Sequence, residues 1–327
     1  MEEIFRRKLN MVTYPTAFHE LKNLRKKLNS NQNIYIKRDD CTEMGLGGNK
    51  SRKLDYIMYE ALYKNCDTVI TVGGSQSNHC RQTLAFANSL GLECHLILNG
   101  EKEEAKQGNL FLFDLMGAKI TYIEDKDDFN QAAEELKREL EIKGRKPYII
   151  PLGASVPLGS IAYIDSLKEI AVQGKERDLN IKHIFLATGS AGTQAGLELG
   201  CKMYLPKCKV HGVSVGKSAL EMKSLVSDLA NQTAKFIGKD FLFNKDDICV
   251  HDQYYGQGYA VPSNKGNQAV KTVAKEEGII LDPVYTGKAM SGLIDMLKKD
   301  EFKQGEDIVF LHTGGSPAIF NFTGSFK

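Results

Sequence analysis

The feature that most constrains the fold is an alternation, from Cys66 onward, of short apolar runs with segments of helical periodicity. The apolar runs are continuous, which is typical of parallel strands covered by helices on both faces. The pattern predicts strands at 33–40, 67–73, 95–99, 119–123, 147–153, 183–189, 210–215 and 307–315. It predicts helices at 50–62, 80–91, 127–143, 159–173, 218–229, 265–277 and 287–298. We therefore expect an α/β fold built on mostly parallel sheets.

The length of 327 residues corresponds to about two domains of ordinary size. We place residues 51–169 in a small α/β domain, and residues 1–50 together with 170–327 in a large domain. Each domain is expected to be an open, mostly parallel sheet between two layers of helices. No Pro- or Ser-rich linker separates the two, so we expect them to pack closely, with a cleft between them.

Composition and charge exclude several classes of protein. Hydrophobic residues make up 42% of the chain and charged residues 26%, which is typical of a globular protein rather than a disordered one. The net charge of +2 provides no general attraction for a phosphate backbone, so we expect no nucleic-acid partner. No run of about 18 apolar residues is present, so we expect no membrane span. The charged segment 1–15 does not resemble a secretory signal.

The seven cysteines are odd in number and scattered, without a C-x-x-C pair. This spacing fits neither a disulfide scaffold nor a zinc module. We expect reduced thiols in a cytoplasmic protein, and we predict no metal site.

The first of three glycine-rich segments, Gly47–Leu54, places Lys50, Arg52 and Lys53 at the start of a helix. Cations are unfavourable at a helix N-terminus, so three of them there require an explanation. A bound phosphate would supply one, and a lysine held in a pocket can lose its proton and form a Schiff base with an aldehyde. A basic helix start in water is an equal alternative for this segment alone.

The second segment, Gly73–His79, follows a predicted strand and precedes a helix. In open α/β sheets, ligands bind at the carboxyl ends of the strands. Free N–H groups, hydroxyls and amides at a helix start are suited to a carboxylate. An ordinary capped loop would account for one or two of these residues, but it would leave Gln76 and His79 unexplained.

The third segment, Thr188–Gly196, also lies between a strand and a helix, and it predicts a phosphate cup of backbone N–H groups. It lacks the G-x-G-x-x-G spacing, so a dinucleotide site is not expected. A glycine-rich turn packed on the sheet is the alternative. Two further candidates, Tyr285 and His312, could each be an ordinary buried core residue.

Taken together, these segments resemble the pyridoxal-phosphate (PLP) dependent enzymes of fold type II, which have the tryptophan synthase β-like fold. Within them the chain is similar to the branch of D-cysteine desulfhydrase and 1-aminocyclopropane-1-carboxylate (ACC) deaminase. The order of the motifs carries the resemblance, which covers nearly the whole chain. The motifs are I-K-R-D-D (36–40), G-G-N-K-x-R-K-L (47–54), Q-S-N-H-x-R-Q-T (76–83), T-G-S-x-G-T-x-A-G-L (188–197), G-Y-A-V-P (258–262), D-P-V-Y-T-G-K-A (282–289) and H-T-G-G (312–315).

The resemblance implies that the large domain binds PLP, that Lys50 joins it covalently and that Lys53 helps to hold its phosphate. The other phosphate ligands would be Thr188, Gly189, Ser190, Ala191, Gly192 and Thr193. The groups around the ring would be Asn78 at its hydroxyl, Tyr285 and Thr286 against it, and Thr313 near its nitrogen.

The same resemblance implies roles toward the substrate. Lys50 would act as the base at Cα or relay the proton through a nearby group, with Ser77 as a carboxylate ligand and a candidate proton relay. Two tyrosines, Tyr259 and Tyr285, are candidates for controlling the leaving group or the pro-D face. The substrate contacts would come from Gln76, Ser77, Asn78, His79, Tyr259 and Gly314.

Two positions favour D-cysteine desulfhydrase over ACC deaminase. ACC deaminases carry Glu directly after the tyrosine and Leu further on, whereas this chain has Thr286 and Thr313. His79 also agrees with the desulfhydrase pattern. We therefore expect β-elimination from D-cysteine to pyruvate, ammonia and hydrogen sulfide, in a homodimer that acts on a small D-amino acid. The alternatives are another lyase of the branch, acting on L-cysteate or β-chloro-D-alanine, ACC deaminase, or a non-catalytic binding protein.

Overall fold

The architecture consists of two sheets, each lying between two layers of helices. The structure is a computed structural model, and it describes residues 2–102 and 106–326. The strands are β1 (Phe18–Glu20), β2 (Ile34–Arg38), β3 (Thr68–Gly74), β4 (Glu93–Asn99), β5 (Lys119–Ile123), β6 (Pro147–Ile150), β7 (Ile181–Thr188), β8 (Lys209–Ser214), β9 (Cys249–His251) and β10 (Asp307–His312).

The helices alternate with these strands along the chain. They are α1 (Glu2–Arg6), α2 (Lys22–Leu28), α3 (Asn49–Tyr63), α4 (Asn78–Ser89), α5 (Gly108–Leu115), α6 (Phe129–Ile142), α7 (Pro157–Lys175), α8 (Gly192–Tyr204), α9 (Ala219–Phe236), α10 (Asn264–Glu277) and α11 (Thr286–Lys298). Among the described residues, no helix combines the length and apolar character needed to cross a bilayer.

The larger sheet has six strands in the order β1-β2-β10-β7-β8-β9, and the smaller has four in the order β5-β4-β3-β6. All neighbours are parallel except β1 and β2, which are antiparallel. The prediction of two mostly parallel α/β sheets is therefore confirmed. Strand β2, which precedes the small sheet in the chain, joins the six-stranded sheet.

Alternate residues of the central strands enter different cores, which produces the three layers. In β7, Ile184 and Leu186 pack with α7, α8 and α9, whereas Phe185 and Ala187 pack with α2, α10 and α11. The small sheet divides in the same way between α3, α4 and α5 on one face and α6 on the other. Both faces of each sheet are buried, which explains why the strands are continuously apolar in sequence.

Two short strands, β1 and β9, and the short helices α2 and α5 were not predicted. Each of the two strands has three residues at an edge of the large sheet, which is too short for a periodic signal. The domain boundaries at 50/51 and 169/170 stay a prediction. The second of them falls inside the continuous helix α7.

Helix α3, which begins with the first glycine-rich segment, is held by a buried ion-pair network around Arg52. The guanidinium donates to both oxygens of Asp39 at 2.9 Å and to both oxygens of Glu169 at 2.7 and 2.8 Å. Tyr163 of α7 donates to Asp39 as well, at 2.8 Å. The network joins the end of β2 to α3 and α7, and thus the large sheet to the helix that carries Lys50.

Arg52 therefore pairs with two carboxylates and is not a phosphate ligand, so the expectation of a bound phosphate does not apply to this residue. Arg52 is 1% exposed and Asp39 is fully buried. Although burial acts in the opposite direction, the hydrogen bonds and charge of Arg52 lower the pKa of Glu169 to about 2. Glu169 consequently stays ionised and paired with Arg52 at neutral pH.

We expect Arg52→Met to lower the free energy of unfolding by about 3–5 kcal/mol, because removing one partner leaves Asp39 as an uncompensated buried charge. Urea denaturation of the two proteins measures this difference. The matched control is Arg7→Met, whose ion pair with Glu3 is exposed and whose loss should leave the denaturation midpoint unchanged. Equal midpoints for wild type and Arg52→Met would contradict the structural role of the network.

Candidate functional site

The second and third glycine-rich segments follow β3 and β7, and the loop 312–315 follows β10. The first turn of α3 lies between them. The backbone N–H of Asn49 donates to the carbonyl oxygen of Thr313 at 3.0 Å, and its side-chain amide donates to Thr193 Oγ1 at 3.0 Å. Lys50 Nζ in turn donates to Asn49 Oδ1 at 3.0 Å. Asn49, the residue before Lys50, is thus hydrogen-bonded both to the loop after β10 and to the start of α8, which follows β7.

Lys53 reaches the start of α8, as the phosphate-cup interpretation requires. Its side chain is fully buried, and Nζ donates to the carbonyl oxygen of Gly153 at 3.2 Å. A Cβ atom added at Gly192 would lie 2.7 Å from this Nζ and 2.8 Å from Ser155 Oγ. Only a residue without a side chain leaves room for the lysine amine at this helix start.

The N-terminus of α8 is shaped to receive an anion. Ala191, at the N-cap position, has a φ of 66°, and no side chain caps the helix. Ser190 Oγ accepts a hydrogen bond from Ser155 Oγ at 2.8 Å. The Lys53 amine and the hydroxyls of Ser155 and Ser190 therefore lie beside the start of α8, and helix N-termini with such donors bind phosphate groups.

Arg81 is a buried cation at this site to which we had assigned no role. It is 0% exposed. It donates to the carbonyl oxygens of Gly45 and Gly47 at 2.6 and 2.7 Å, and to Asn78 Oδ1 at 2.6 Å. Arg81 thereby ties the loop before α3 to the loop before α4. The motif that contains Arg81 was visible in the sequence, but burial of this side chain was not.

Three cations in the site have no carboxylate at ion-pair distance within the part of the chain that the structure describes: Lys50, Lys53 and Arg81. Burial and the charge of Arg81 lower the pKa of Lys50 to about 8. Burial and the charge of Lys50 lower the pKa of Lys53 well below its usual range. A bound anion would relieve this repulsion, and the Lys50 amine loses its proton more readily than an ordinary lysine.

The loop before α4 is braced by α5, a helix that the sequence did not predict. Gln76 Oε1 accepts from the backbone N–H of Asn109 at 2.9 Å, and Gln76 Nε2 donates to the carbonyl oxygen of Gln107 at 3.1 Å. Asn78 Oδ1 accepts from Asn109 Nδ2 at 2.9 Å. Ser77 Oγ caps α4 by accepting from Cys80 N at 3.1 Å. Ser77 thus has a structural role as the N-cap of α4, and the hydrogen bonds to α5 and the residue before it fix the side chain of Gln76.

His79 is buried under this loop, against the sheet. Its Nε2 lies 2.7 Å from Thr71 Oγ1, which itself donates to the carbonyl oxygen of Ile150. His79 Nε2 is therefore the donor, and Nδ1 has no hydrogen-bond partner among the described residues. Burial, together with the charges of Lys50 and Lys53, keeps the pKa of His79 well below its usual range. The imidazole is neutral at physiological pH.

Two tyrosines lie in contact with each other beside the third glycine-rich segment. The hydroxyls of Tyr259 and Tyr285 are hydrogen-bonded to each other, and their rings meet edge to face with centroids 5.9 Å apart. Tyr285 lies 3.8 Å from the Cβ position of Gly189, next to the third glycine-rich loop. Burial raises the pKa of Tyr285 well above its usual range, so its phenol stays protonated.

Asp282 sets the turn that presents Tyr285. Its carboxylate accepts from the backbone N–H groups of Val284, Tyr285 and Thr286, each at 2.8 Å. The hydroxyl of Thr286 donates to the same carboxylate at 2.7 Å and accepts from Asp282 N at 2.8 Å. The Thr286 side chain is thus fully engaged within the turn.

The last loop closes against the first. Gly314 has a φ of 88°, and a Cβ there would lie 2.6 Å from the Cα of Gly48. Thr313 is 8% exposed, while His312 is fully buried and lies 3.1 Å from the carbonyl oxygen of Ile280. The structure thus brings the predicted site residues to the carboxyl ends of strands from both sheets, with His79 and His312 packed behind them.

The comparisons with known proteins agree with this geometry. The family model described as "Pyridoxal-phosphate dependent enzyme" matches residues 9–314. A solved structure described as "Crystal Structure Analysis of the ACC deaminase homologue" is 36% identical, with a TM-score of 0.90, and the match covers 100% of this chain and 98% of that one.

Two more distant structures share the fold. One is the processed form of threonine deaminase isoform 2 from Solanum lycopersicum, at 20% identity and a TM-score of 0.66, covering 96% of this chain and 85% of that one. The other is a pyridoxal 5'-phosphate-dependent aspartate racemase, at 16% identity and a TM-score of 0.69, covering 96% and 94%. With the family model spanning nearly the whole chain and a lysine amine beside an anion cup, this chain belongs to the pyridoxal-phosphate-dependent enzymes of fold type II.

Proposed function

We propose that this enzyme is a D-cysteine desulfhydrase, which eliminates the β-thiol of D-cysteine to form pyruvate, ammonia and hydrogen sulfide. The observation that carries the proposal is the side chain after Tyr285. ACC deaminases resemble one another in having a glutamate there, whereas here Thr286 is buried and its hydroxyl is bonded to Asp282. No carboxylate stands directly after the tyrosine to assist the opening of a cyclopropane ring.

The residues present fit PLP. The aldehyde requires an amine that loses its proton readily, which Lys50 provides. The phosphate requires an anion site, which Lys53 and the loop 188–193 provide. Asn78 and Thr313 offer polar groups for the ring, and Tyr285 offers a flat face. When bound, PLP acts as an electron sink for the pair of electrons left at Cα.

The chain's own groups would perform the remaining steps. We assign the substrate carboxylate to the loop Gln76–Asn78 at the start of α4, where the helix N-terminus and buried Arg81 favour an anion. Lys50 is the base that removes the proton from Cα, because its lowered pKa leaves part of the amine neutral near pH 7–8. We assign to the hydroxyl pair of Tyr259 and Tyr285 the donation of a hydrogen bond to the departing sulfur.

Other features of the proposal rest on the family resemblance. A homodimer and a cytoplasmic location remain predictions. ACC deaminase remains the principal alternative, since the 36%-identical structure carries that enzyme's name as a homologue. Other lyases of the branch, acting on L-cysteate or β-chloro-D-alanine, are the next alternatives.

A substrate panel tests the activity. Purified PLP-loaded enzyme is incubated separately with D-cysteine, L-cysteine, D-serine, L-cysteate, β-chloro-D-alanine and ACC, and keto acid, ammonia and sulfide are measured. We expect pyruvate and sulfide in equal amounts from D-cysteine, and no keto acid from ACC. Lys50→Ala should be inactive with every substrate. Formation of 2-oxobutyrate from ACC at a higher kcat/KM than pyruvate from D-cysteine would reject the proposal in favour of ACC deaminase.

A methyl group in the anion cup tests the phosphate site. We expect Gly192→Ala to weaken PLP binding by about tenfold or more, because the new Cβ would displace the Lys53 amine. Equilibrium dialysis of the apoprotein against PLP measures the affinity. The matched control is Gly324→Ala, where a Cβ meets no atom within 4 Å. Unchanged PLP affinity in Gly192→Ala would place the phosphate elsewhere.

The lowered pKa of Lys50 predicts a pH dependence. Because burial and Arg81 lower the pKa of Lys50 from its ordinary value of 10.5 to about 8, the neutral amine becomes dominant as the pH rises through about 8. The rate at which apoprotein forms the covalent PLP adduct, trapped with borohydride and measured by intact mass, should therefore rise with a midpoint near 8. Lys50→Ala should form no adduct. A midpoint near the value of an exposed lysine would show that burial and Arg81 do not act on this amine.

A further inference from the structure

A second group of chemically reactive side chains lies outside the PLP site, on the last two strands of the large sheet. It consists of His211 on β8 and of Cys249 and His251 on β9, which we call the His–Cys cluster. His211 pairs in register with Cys249, and His251 follows two residues later on the same face of β9. All three side chains therefore project from one face of the sheet edge.

The three candidate ligand atoms are spaced as around a single ion. His211 Nδ1 lies 3.0 Å from His251 Nε2, and Cys249 Sγ lies 3.7 Å from the first and 3.4 Å from the second. Zinc–nitrogen bonds of about 2.0–2.1 Å and zinc–sulfur bonds of about 2.3 Å, at tetrahedral angles, require separations of about 3.3 Å between nitrogens and about 3.6 Å between nitrogen and sulfur. The two nitrogen–sulfur separations lie on either side of the required value, and the two nitrogens are about 0.3 Å closer than the required separation.

A relay of hydrogen bonds orients the central histidine. Glu306 Oε2 lies 3.1 Å from His183 Nε2, and His183 Nδ1 lies 3.0 Å from His211 Nε2. Because a carboxylate only accepts, His183 Nε2 carries a proton, and with neutral rings His211 Nε2 carries the next one. His211 Nδ1 therefore presents its lone pair to the cluster. Histidines that bind metals are commonly held in this way by a carboxylate behind them.

The surroundings leave the cluster rigid and reachable. The ring of Phe185 stacks on His211 with centroids 4.4 Å apart, and Phe302 meets it edge to face at 6.3 Å. His211 is 3% exposed, whereas Cys249 and His251 are only partly buried, on the edge strand. A cation can enter from this edge and find one ligand already fixed in place.

We propose that His211, Cys249 and His251 bind one Zn²⁺ ion, with a water molecule at the fourth position. Two imidazoles and a thiolate suit zinc and exclude Mg²⁺ and Ca²⁺, which require oxygen ligands. The ion would join the edge strand β9 to β8, and so stabilise the border of the large sheet. It shares no residue with the PLP site.

Zinc binding to the PLP-loaded enzyme tests the site. Metal-free enzyme is titrated with ZnCl₂ against a chromophoric chelator, and metal content after desalting is measured by mass spectrometry. We expect one Zn²⁺ per chain in the wild type. We expect Cys249→Ser and His251→Asn each to weaken binding by about tenfold or more, since each removes a ligand, and Glu306→Gln to weaken it by about tenfold through the relay.

Cys66→Ser is the matched control, because Cys66 is also a partly buried free thiol and lies outside the cluster. It should bind zinc as the wild type does. X-ray absorption of the zinc-loaded protein should show one sulfur and two nitrogens. Wild type that binds no more zinc than Cys249→Ser, or equal losses in Cys66→Ser and Cys249→Ser, would overturn the proposal and leave the cluster a hydrogen-bonded network. If His251→Asn proves unstable, the Cys249→Ser result decides, since serine is nearly isosteric.

Discussion

The buried ion-pair network of Arg52 with Asp39 and Glu169 is the interaction on which the rest of the site depends. It fixes α3 against the end of β2 and the middle of α7, which belong to different layers of the molecule. Desolvating three charges is costly, and their attraction compensates only when the geometry is well satisfied. Here the guanidinium binds both carboxylates with two hydrogen bonds each, so that the helix has one orientation.

That orientation has consequences for the two lysines on either side of Arg52. Successive residues on a helix are rotated by about 100°, so Lys53, one position after Arg52, and Lys50, two positions before it, point about 100° and about 160° away from the Arg52 side chain that binds Asp39. Anchoring Arg52 directs both lysine amines toward the loops after β7 and β10. The ion-pair network of Arg52 therefore positions the two lysines without itself contributing a side chain to the site.

The electrostatics of the site depend on which of its buried cations have carboxylate partners. Arg52 is paired, while buried Lys53 and Arg81 and partly buried Lys50 have no ion-pair partners among the described residues. Burying a cation without a partner has an unfavourable desolvation free energy, which a bound anion would offset. Such cations indicate an anion-binding site. The charge of Arg81 also lowers the pKa of the Lys50 amine. Binding of a phosphate and activation of Lys50 thus come from one arrangement of charge.

The sequence predicted most of the strands and helices, because both faces of each sheet are buried and the apolar runs are correspondingly continuous. It also predicted which loops carry the chemistry, because glycine and small polar residues follow β3, β7 and β10 in each case. The ordered motifs identified the cofactor. These properties are local, and a linear sequence records them directly.

Tertiary structure decided what depends on residues far apart in the chain. Arg52 and Arg81 look alike in sequence, yet only the fold places carboxylates against the first and carbonyl oxygens against the second. The fold likewise brings His211 into register with Cys249, nearly forty residues later, through the pairing of two parallel strands. No spacing rule along the chain reveals such a pairing, because strand neighbours are set by packing of whole elements and not by the residues that they carry.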